Sequence, residues 1–341
     1  MKMKRLISGI IALVLIMGMP VSAFAADWYL EDGDITVSAD NSGQTVSQGS
    51  GAAVADDAPV ISQRDGAAAT DSTITISTSD GATANVTIED VNISSDGDAI
   101  DVGNSSASIT LEGDNKIFSE SGSDIHVSGG DVTITGSGSL EAGSKNDNNN
   151  NAAIGSHKDE DMSGSIHITG DATVTIIKND TGYGDGAGIG SGDSGEMSGS
   201  IIIDGNANVD SFSNYDGAGI GSGDGGEMSG DITIGGNAQV TAVSECDGAG
   251  IGAGWRSDMS GNITIGDNAR VTAWGDSSGA GIGSGDKGNV SGTITIGGNA
   301  QVTAGSNDNG AGIGGGEKGS ITSTGRIIIR DSAKVTAIGE D

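Results

Sequence analysis

The sequence predicts an all-β chain wound as a parallel β-helix solenoid, with three strands per coil and about nine coils. Three observations carry that expectation. First, the string GAGIG and its close variants return at a fixed interval: isoleucines stand at Ile154, Ile189, Ile220, Ile251, Ile282 and Ile313, and the last four intervals are all 31 residues. A constant period of that length marks one structural unit stacked on copies of itself. Second, each unit holds three short apolar segments whose side chains alternate with period 2, as strands with one buried face do. Third, the chain carries 62 glycines and only 3% aromatics, and no proline follows Pro59. That composition cannot fill an ordinary globular core, but it suits long uninterrupted hydrogen-bond ladders.

Taken in order, residues 1–25 have the form of a secretion signal. Lys2, Lys4 and Arg5 form the positive region, Leu6 to Met19 the apolar stretch, and Ala23-Phe24-Ala25 a small-x-small cleavage pattern. Export and an extracellular or cell-surface location are therefore expected, with no membrane insertion, because no second long apolar run follows. Residues 26–71 are less periodic and are expected to form an N-terminal cap or first irregular coil. Trp28, Tyr29 and Leu30 would cover it, and Ile35, Val37, Val60 and Ile61 would already belong to it.

Residues 72–341 form the β-helix proper. From 72 to 150 the coils are short, about 23–25 residues. First-strand positions are expected at Ile76, Ile100 and Ile125, second-strand positions at Ile88, Leu111 and Ile134, and third-strand positions at Ile93, Ile117 and Leu140. From 151 to 341 the coils lengthen to about 31 residues. The GAGIG isoleucine is the first strand. Ile201 with Ile203, and their equivalents 31 residues apart, form the second, and Ala207 with Val209 and their equivalents the third. The extra residues fall mainly between strands one and two. Second-strand positions from Ile88 to Ile329 count nine coils, a rod of roughly 43 Å at ~4.8 Å per coil. Asn206, Asn237, Asn268 and Asn299 share one turn position, where stacked amides can bond along the column. Met162, Met197, Met228 and Met259, continued by Val290 and Ile321, read as core filling. The sequence ends at Asp341, just past the last third strand, so an open edge is expected there. Either two molecules meet through that coil, or Lys334, Glu340 and Asp341 blunt it, or a longer protein continues it.

The net charge is −32, and −35 once the three signal cations are removed. Phosphate would be repelled, which excludes nucleic acid as a partner. Cys246 is the single cysteine, so there is no internal disulfide framework, and it reads as a free thiol.

The strings NVTIEDVNIS (85–94), SITLEGDNKIFS (108–119) and DVTITGSGSLEA (131–142), followed by GAGIGSG and GDITIGGNAQVTA, resemble repetitive surface proteins of Gram-positive gut and cellulolytic bacteria. Those proteins are described as carbohydrate-binding or adhesin-like, with a pectate-lyase-like right-handed β-helix. The resemblance covers most of residues 72–341. It implies the right hand of the coil, a surface context and an extracellular carbohydrate or surface-protein partner. Pectin-binding members of the wider group use calcium, although no defined calcium motif matches here residue by residue.

Two groups of residues are candidates for a site. Carboxylates fall into columns flanking the GAGIG strand: Asp185, Asp216 and Asp247 four residues before the isoleucine, Asp193 and Asp224 four after it, and Glu196, Glu227 and Asp258 seven after it. Like charges stacked at ~4.8 Å repel by roughly 0.9 kcal/mol per pair even in water. Oxygen-rich loops of this kind suit Ca²⁺, and a plainly solvated acidic face is the competing reading. Trp255 breaks the second column, with Arg256 beside it; Trp274 sits in the column of Phe212 and Val243, and Tyr215 is expected on the same side loop as Phe212. Such aromatics can grip sugar rings, or they can simply pack locally. A lyase would need a base near bound Ca²⁺, and Arg256 near Asp224, Glu227 and Asp258 is the candidate. Because Arg256 shares its column with Lys287 and Lys318, it reads as charge balance. His126, His157 and His167 look scattered, one to a coil or loop. No catalytic residue is assigned, and a binding protein is expected rather than an enzyme. The alternative is a structural or adhesive rod that binds a protein or itself.

Overall fold

The computed structural model describes residues 27–64, 68–144, 146, 148–177 and 183–339. The segment read as a secretion signal, and Glu340 and Asp341 at the other end, lie outside these residues. Three sheets run the length of the chain, with 12, 11 and 9 strands, and we call them sheets I, II and III in the order in which a coil passes through them. Consecutive strands within a sheet come from consecutive coils and pair in parallel, as in a parallel β-helix. Sheet I carries the GAGIG strands, sheet II strands such as Ser200–Ile203, and sheet III strands such as Asn208–Ser213. The two exceptions to parallel pairing sit at the start, where Gly43–Gln48 pairs antiparallel with both Ile35–Asp40 and Val54–Ala55.

The repeated apolar positions point inward and stack on themselves. Ile154, Ile189, Ile220, Ile251, Ile282 and Ile313 are successive partners in sheet I. Ile201, Ile232, Ile263 and Ile294 do the same in sheet II, and Val209, Val240, Val271 and Val302 in sheet III. Each fully buried isoleucine contributes roughly 1.5–3 kcal/mol of hydrophobic stabilisation. The methionine column bridges in register from Met162 to Ile321 at the corner before sheet II, and its four methionines are fully buried. These side chains fill the core. At the opposite corner the asparagine column forms a ladder: each amide donates to the one below it, Asn237 to Asn206 at 2.9 Å, Asn268 to Asn237 at 3.1 Å and Asn299 to Asn268 at 3.1 Å. Asn206 ends the ladder on Asp171, at 2.8 Å.

Three registers in the short coils differ from the sequence expectation, each by two residues. Ile74, not Ile76, is the partner of Ile100; Ile134 pairs with Ile109, leaving Gly136 opposite Leu111; and Leu140 pairs with Asn115, not Ile117. In every case the residues still face inward, because a slip of two preserves the side of the sheet. Asn115 explains one slip. It takes an inward position at 1% exposure because its amide donates to the Glu112 and Ser139 carbonyls while its oxygen accepts the Val91 N–H.

At the start, Asp27–Tyr29 pairs with Val60–Ser62 at the edge of sheet II, and Leu30 is fully buried beside it. Trp28 is buried as well, its indole N–H donating to Asp56 at 2.8 Å. On the last described coil, by contrast, Ile321, Ile327, Ile328, Ile329 and Ile338 are exposed.

Candidate functional site

The acidic columns hang on the GAGIG strand, and its glycines decide how. Gly190, Gly221 and Gly252 all have φ between 135 and 140°, which side-chain-bearing residues rarely adopt. A Cβ on Gly221 would lie 1.7 Å from the Gly252 carbonyl oxygen of the next coil. Sheet I is therefore only two residues wide in the late coils, as at Ile220–Gly221, and the chain leaves at once into the acidic loop. The loops on either side of the strand then meet across coils. The Asp224 N–H donates to the Asp185 carbonyl at 2.9 Å, that of Trp255 to Asp216 at 2.8 Å, and that of Asp286 to Asp247 at 2.8 Å. Two columns that lie eight residues apart in sequence become one acidic flank.

Most of that flank is buried. Asp193, Asp216, Asp224 and Asp286 are buried, and Asp185 and Asp247 are half-buried. Burial, helped by the charges of Asp224 and Asp193, pushes the Asp185 carboxyl up to about 6. Burial also pushes Asp216 up to about 7, with Asp247, Asp185 and Asp224 adding to it. Asp224 is raised by burial too, against the opposing pull of Arg256. One oxygen each of Asp185, Asp224 and Asp286 is buried without a hydrogen-bond partner. Cations close the outer side: Arg256 pairs with Asp224 at 2.8 Å, Lys287 with Asp286 at 3.0 Å, Lys318 with Glu317 at 2.6 Å, and Lys158 with Asp193. The third acidic column stands apart. Glu227 and Asp258 are exposed and Glu196 is half-buried, and Asp258 accepts the Asn289 N–H of the next coil at 2.7 Å, a turn-fixing bond. Cys246 lies within this flank. Burial and the neighbouring Asp216 and Asp247 push its thiol up to about 11, so it is not a reactive thiolate.

The aromatics fall into two places. Trp255 is half-buried in the acidic loop; the Arg256 guanidinium lies 3.9 Å from its ring centroid and the Lys287 ammonium 4.6 Å, and its indole N–H donates to Asp286 at 3.1 Å. Trp255 is thus a packing centre for charges rather than a bare platform. Phe212 and Trp274 instead lie on the outer face of sheet III, in one row with Val243 between them. Trp274 lies flat over Gly305, where a Cβ would meet its ring at 2.1 Å. Tyr215 sits in the loop beyond, edge-on to the exposed Tyr183 at 5.5 Å, a neighbour the repeat pattern does not reveal.

The histidines are not scattered as the sequence suggests. His126 and His157 stack with ring centroids 3.9 Å apart and planes 7° apart. His126 Nδ1 lies 2.9 Å from Asp101 and 3.7 Å from Asp98, and its Nε2 lies 2.8 Å from Glu160. His157 Nε2 lies 2.7 Å from Asp98. Burial opposes the charged form of His126, but the hydrogen bonds to Asp101 and Glu160 and the charge of Asp98 outweigh it, pushing the imidazole up to about 9. The five residues come from three coils that only the fold brings together; in sequence the signal is weak, two histidines 31 residues apart. His167 lies elsewhere, on Asp204 at 3.0 Å.

No family model, curated protein or solved structure matches the chain. No helix of the described residues is long and apolar enough to cross a membrane.

Proposed function

We propose that this chain is an extracellular, pectate-lyase-like β-helix rod of the GAGIG-repeat kind, which binds polysaccharide on the outer face of sheet III and does not catalyse. The register of that face carries the reading. Phe212, Val243 and Trp274 form one outward row. Beside it runs Thr241, Thr272, Thr303 and Thr336, and beyond that Gln239, Arg270, Gln301 and Lys334. Rings and hydrogen-bonding groups held in rigid rows at ~4.8 Å can meet successive residues of an extended sugar chain, apolar face on ring and hydroxyls on amide and threonine. Calcium is the proposed companion, held on the acidic flank by Asp185, Asp216, Asp247, Asp193 and Asp224. The partnerless oxygens of Asp185 and Asp224 support it, since oxygen donors of this kind are what a hard cation takes. Arg256, the candidate base of a lyase, is committed to Asp224 and to the face of Trp255, which favours binding over proton abstraction.

Affinity electrophoresis in gels holding plant or host polysaccharides, with and without a chelator, tests both parts. Retardation of the chain that Trp274→Ala weakens at least tenfold is expected. No retardation by any neutral or acidic glycan would sink the carbohydrate reading, and a melting temperature indifferent to chelator would sink the calcium. Unsaturated products from polygalacturonate would make the protein a lyase.

Ile202 and Ile328, which stand outward in one row on sheet II, favour a second reading, an adhesive rod that packs on a protein partner or on another copy. Sedimentation that stays monomeric at high concentration, and is unchanged by Ile328→Glu, would count against self-association.

A further inference from the structure

We infer that the His126 imidazole is held with both ring nitrogens protonated, as a charged bolt across three coils, and that the joint between the short and the long coils is therefore closed by a proton. The inference uses neither the outer face of sheet III nor the acidic flank, and it does not rest on the polysaccharide reading. The bolt stands where the backbone joint is thinnest. In sheet I the strand Ile100–Gly103 is four residues long and Ile125–Val127 is three. Ile154–Gly155 is two, so only Ile125 and His126 find partners on it. His126 holds the outward position that is glycine from the next coil onward, and it reaches both ways. Its Nδ1 lies 2.9 Å from Asp101 on the coil below, and its Nε2 lies 2.8 Å from Glu160 on the coil above.

A neutral imidazole donates from one nitrogen and accepts at the other. With a carboxylate oxygen at each nitrogen, a neutral ring would turn a lone pair on one of them, whereas the imidazolium donates to both. The acceptors are fixed in that role. Glu160 Oε2 also takes the His157 backbone N–H at 3.2 Å. Burial disfavours the Glu160 charge, but the bonds from His126 and the His157 N–H outweigh it and hold the carboxyl below its ordinary range. A third carboxylate, Asp98, stands 3.7 Å from His126 Nδ1, and is itself braced by the Ser123 N–H at 2.8 Å and His157 Nε2 at 2.7 Å. The His157 ring, 3.9 Å away and 7° from parallel, covers one face of the His126 ring, whose side chain is 11% exposed. A cation so enclosed depends on its partners. All of them come from the neighbouring coils, Asp98 and Asp101 from below and His157 and Glu160 from above. The other charged groups beside the ring are engaged elsewhere: Asp124 accepts the Ser119 and Gly143 N–H groups, and Lys158 pairs with Asp193. Burial works against the imidazolium, yet the surrounding carboxylates raise the ring from 6.5 to about 9. The bolt's contribution to stability is therefore complete below about 6.5, declines as pH rises, and is lost past about 9.

Nitrogen-15 NMR of the purified full chain, labelled at histidine, tests the protonation state directly. The His126 ring, assigned by its loss in His126→Gln, should show two protonated nitrogens at neutral pH and titrate with a midpoint near 9. Glu160→Gln should lower that midpoint by about one unit or more. Thermal melting tests the joint. Between about pH 7 and pH 10 the melting temperature of the wild-type chain should fall by several degrees more than that of His126→Gln, which cannot donate from two sides of a ring. If His126→Gln does not fold, Asp101→Asn and Glu160→Gln, which keep the ring and remove one charged acceptor, take its place in the melts. The inference is overturned if His126 is a neutral tautomer at neutral pH in the folded chain. It is equally overturned if wild type and the variants lose the same number of degrees over that range.

Discussion

The short early coils and the long late coils share one inward column and differ in what stands outward beside it. In sheet I the inward isoleucine runs without a break from Ile35 through Ile74, Ile100 and Ile125 into the GAGIG series. The position after it changes from Thr36, Thr75, Asp101 and His126 to Gly155 and then glycine in every later coil. Early coils therefore present side chains on this face, and the histidine cluster spans the last two of them and the first late coil. Late coils give up the side chain, turn sharply, and place their chemistry in the loops. The same core thus supports two kinds of surface, and one residue per coil selects between them.

The largest expected effect breaks the late coils at that residue. Gly221→Ala puts a Cβ into the Gly252 carbonyl at a φ of 140°, and should cost more than about 4 kcal/mol or prevent folding. Thr75→Ala, at the equivalent early position, should stay within about 0.5 kcal/mol. Chemical denaturation of both variants would erase the distinction if the two losses were alike. Next, Ile220→Ala and Ile100→Ala should each cost about 2–5 kcal/mol, because both side chains are fully enclosed and the shared column makes no difference between coil types.

A pH series separates the regions further. Asp185 and Asp216 have carboxyls raised by burial to about 6 and about 7 from an ordinary 3.8, so the folded chain holds their protons more tightly than the unfolded chain does. Their ionisation therefore destabilises the fold. Stability should fall as pH rises from about 4 to about 7, on the order of 2–4 kcal/mol for the two together, and Asp216→Asn should flatten that slope. A slope of the opposite sign, measured without divalent ions, would contradict the buried acidic flank. The smallest effect is at the exposed turn. Asn268→Ala removes two rungs of the asparagine ladder and should cost about 1 kcal/mol, read as a shift in the denaturation midpoint.

What was legible in the sequence was what repeats. Period-2 alternation showed which side of each strand is buried. The 31-residue spacing aligned the late coils residue by residue, including the methionine and asparagine columns. The short coils were harder to align, because alternation cannot tell a register from one shifted by two, and inward Asn115 and Gly136 break the apolar pattern that would have set it. The candidate site was half legible. The acidic columns could be read from the repeat, but not that loops before and after the strand press together in space and bury Asp216 and Asp224. Trp255 stood out as an interruption, while the two cations over its ring, Arg256 and Lys287, come from the next position in the chain and from the coil above.

By itself, then, the sequence determined the stacked three-strand coil, since a repeat that cannot bury its apolar face alone must bury it on its neighbour. Tertiary structure alone decided which polar groups meet. Successive coils bring residues 25–60 positions apart within hydrogen-bond reach, as with His157 and Asp98 at 2.7 Å, and such pairs leave no trace in a periodic pattern because they occur only once.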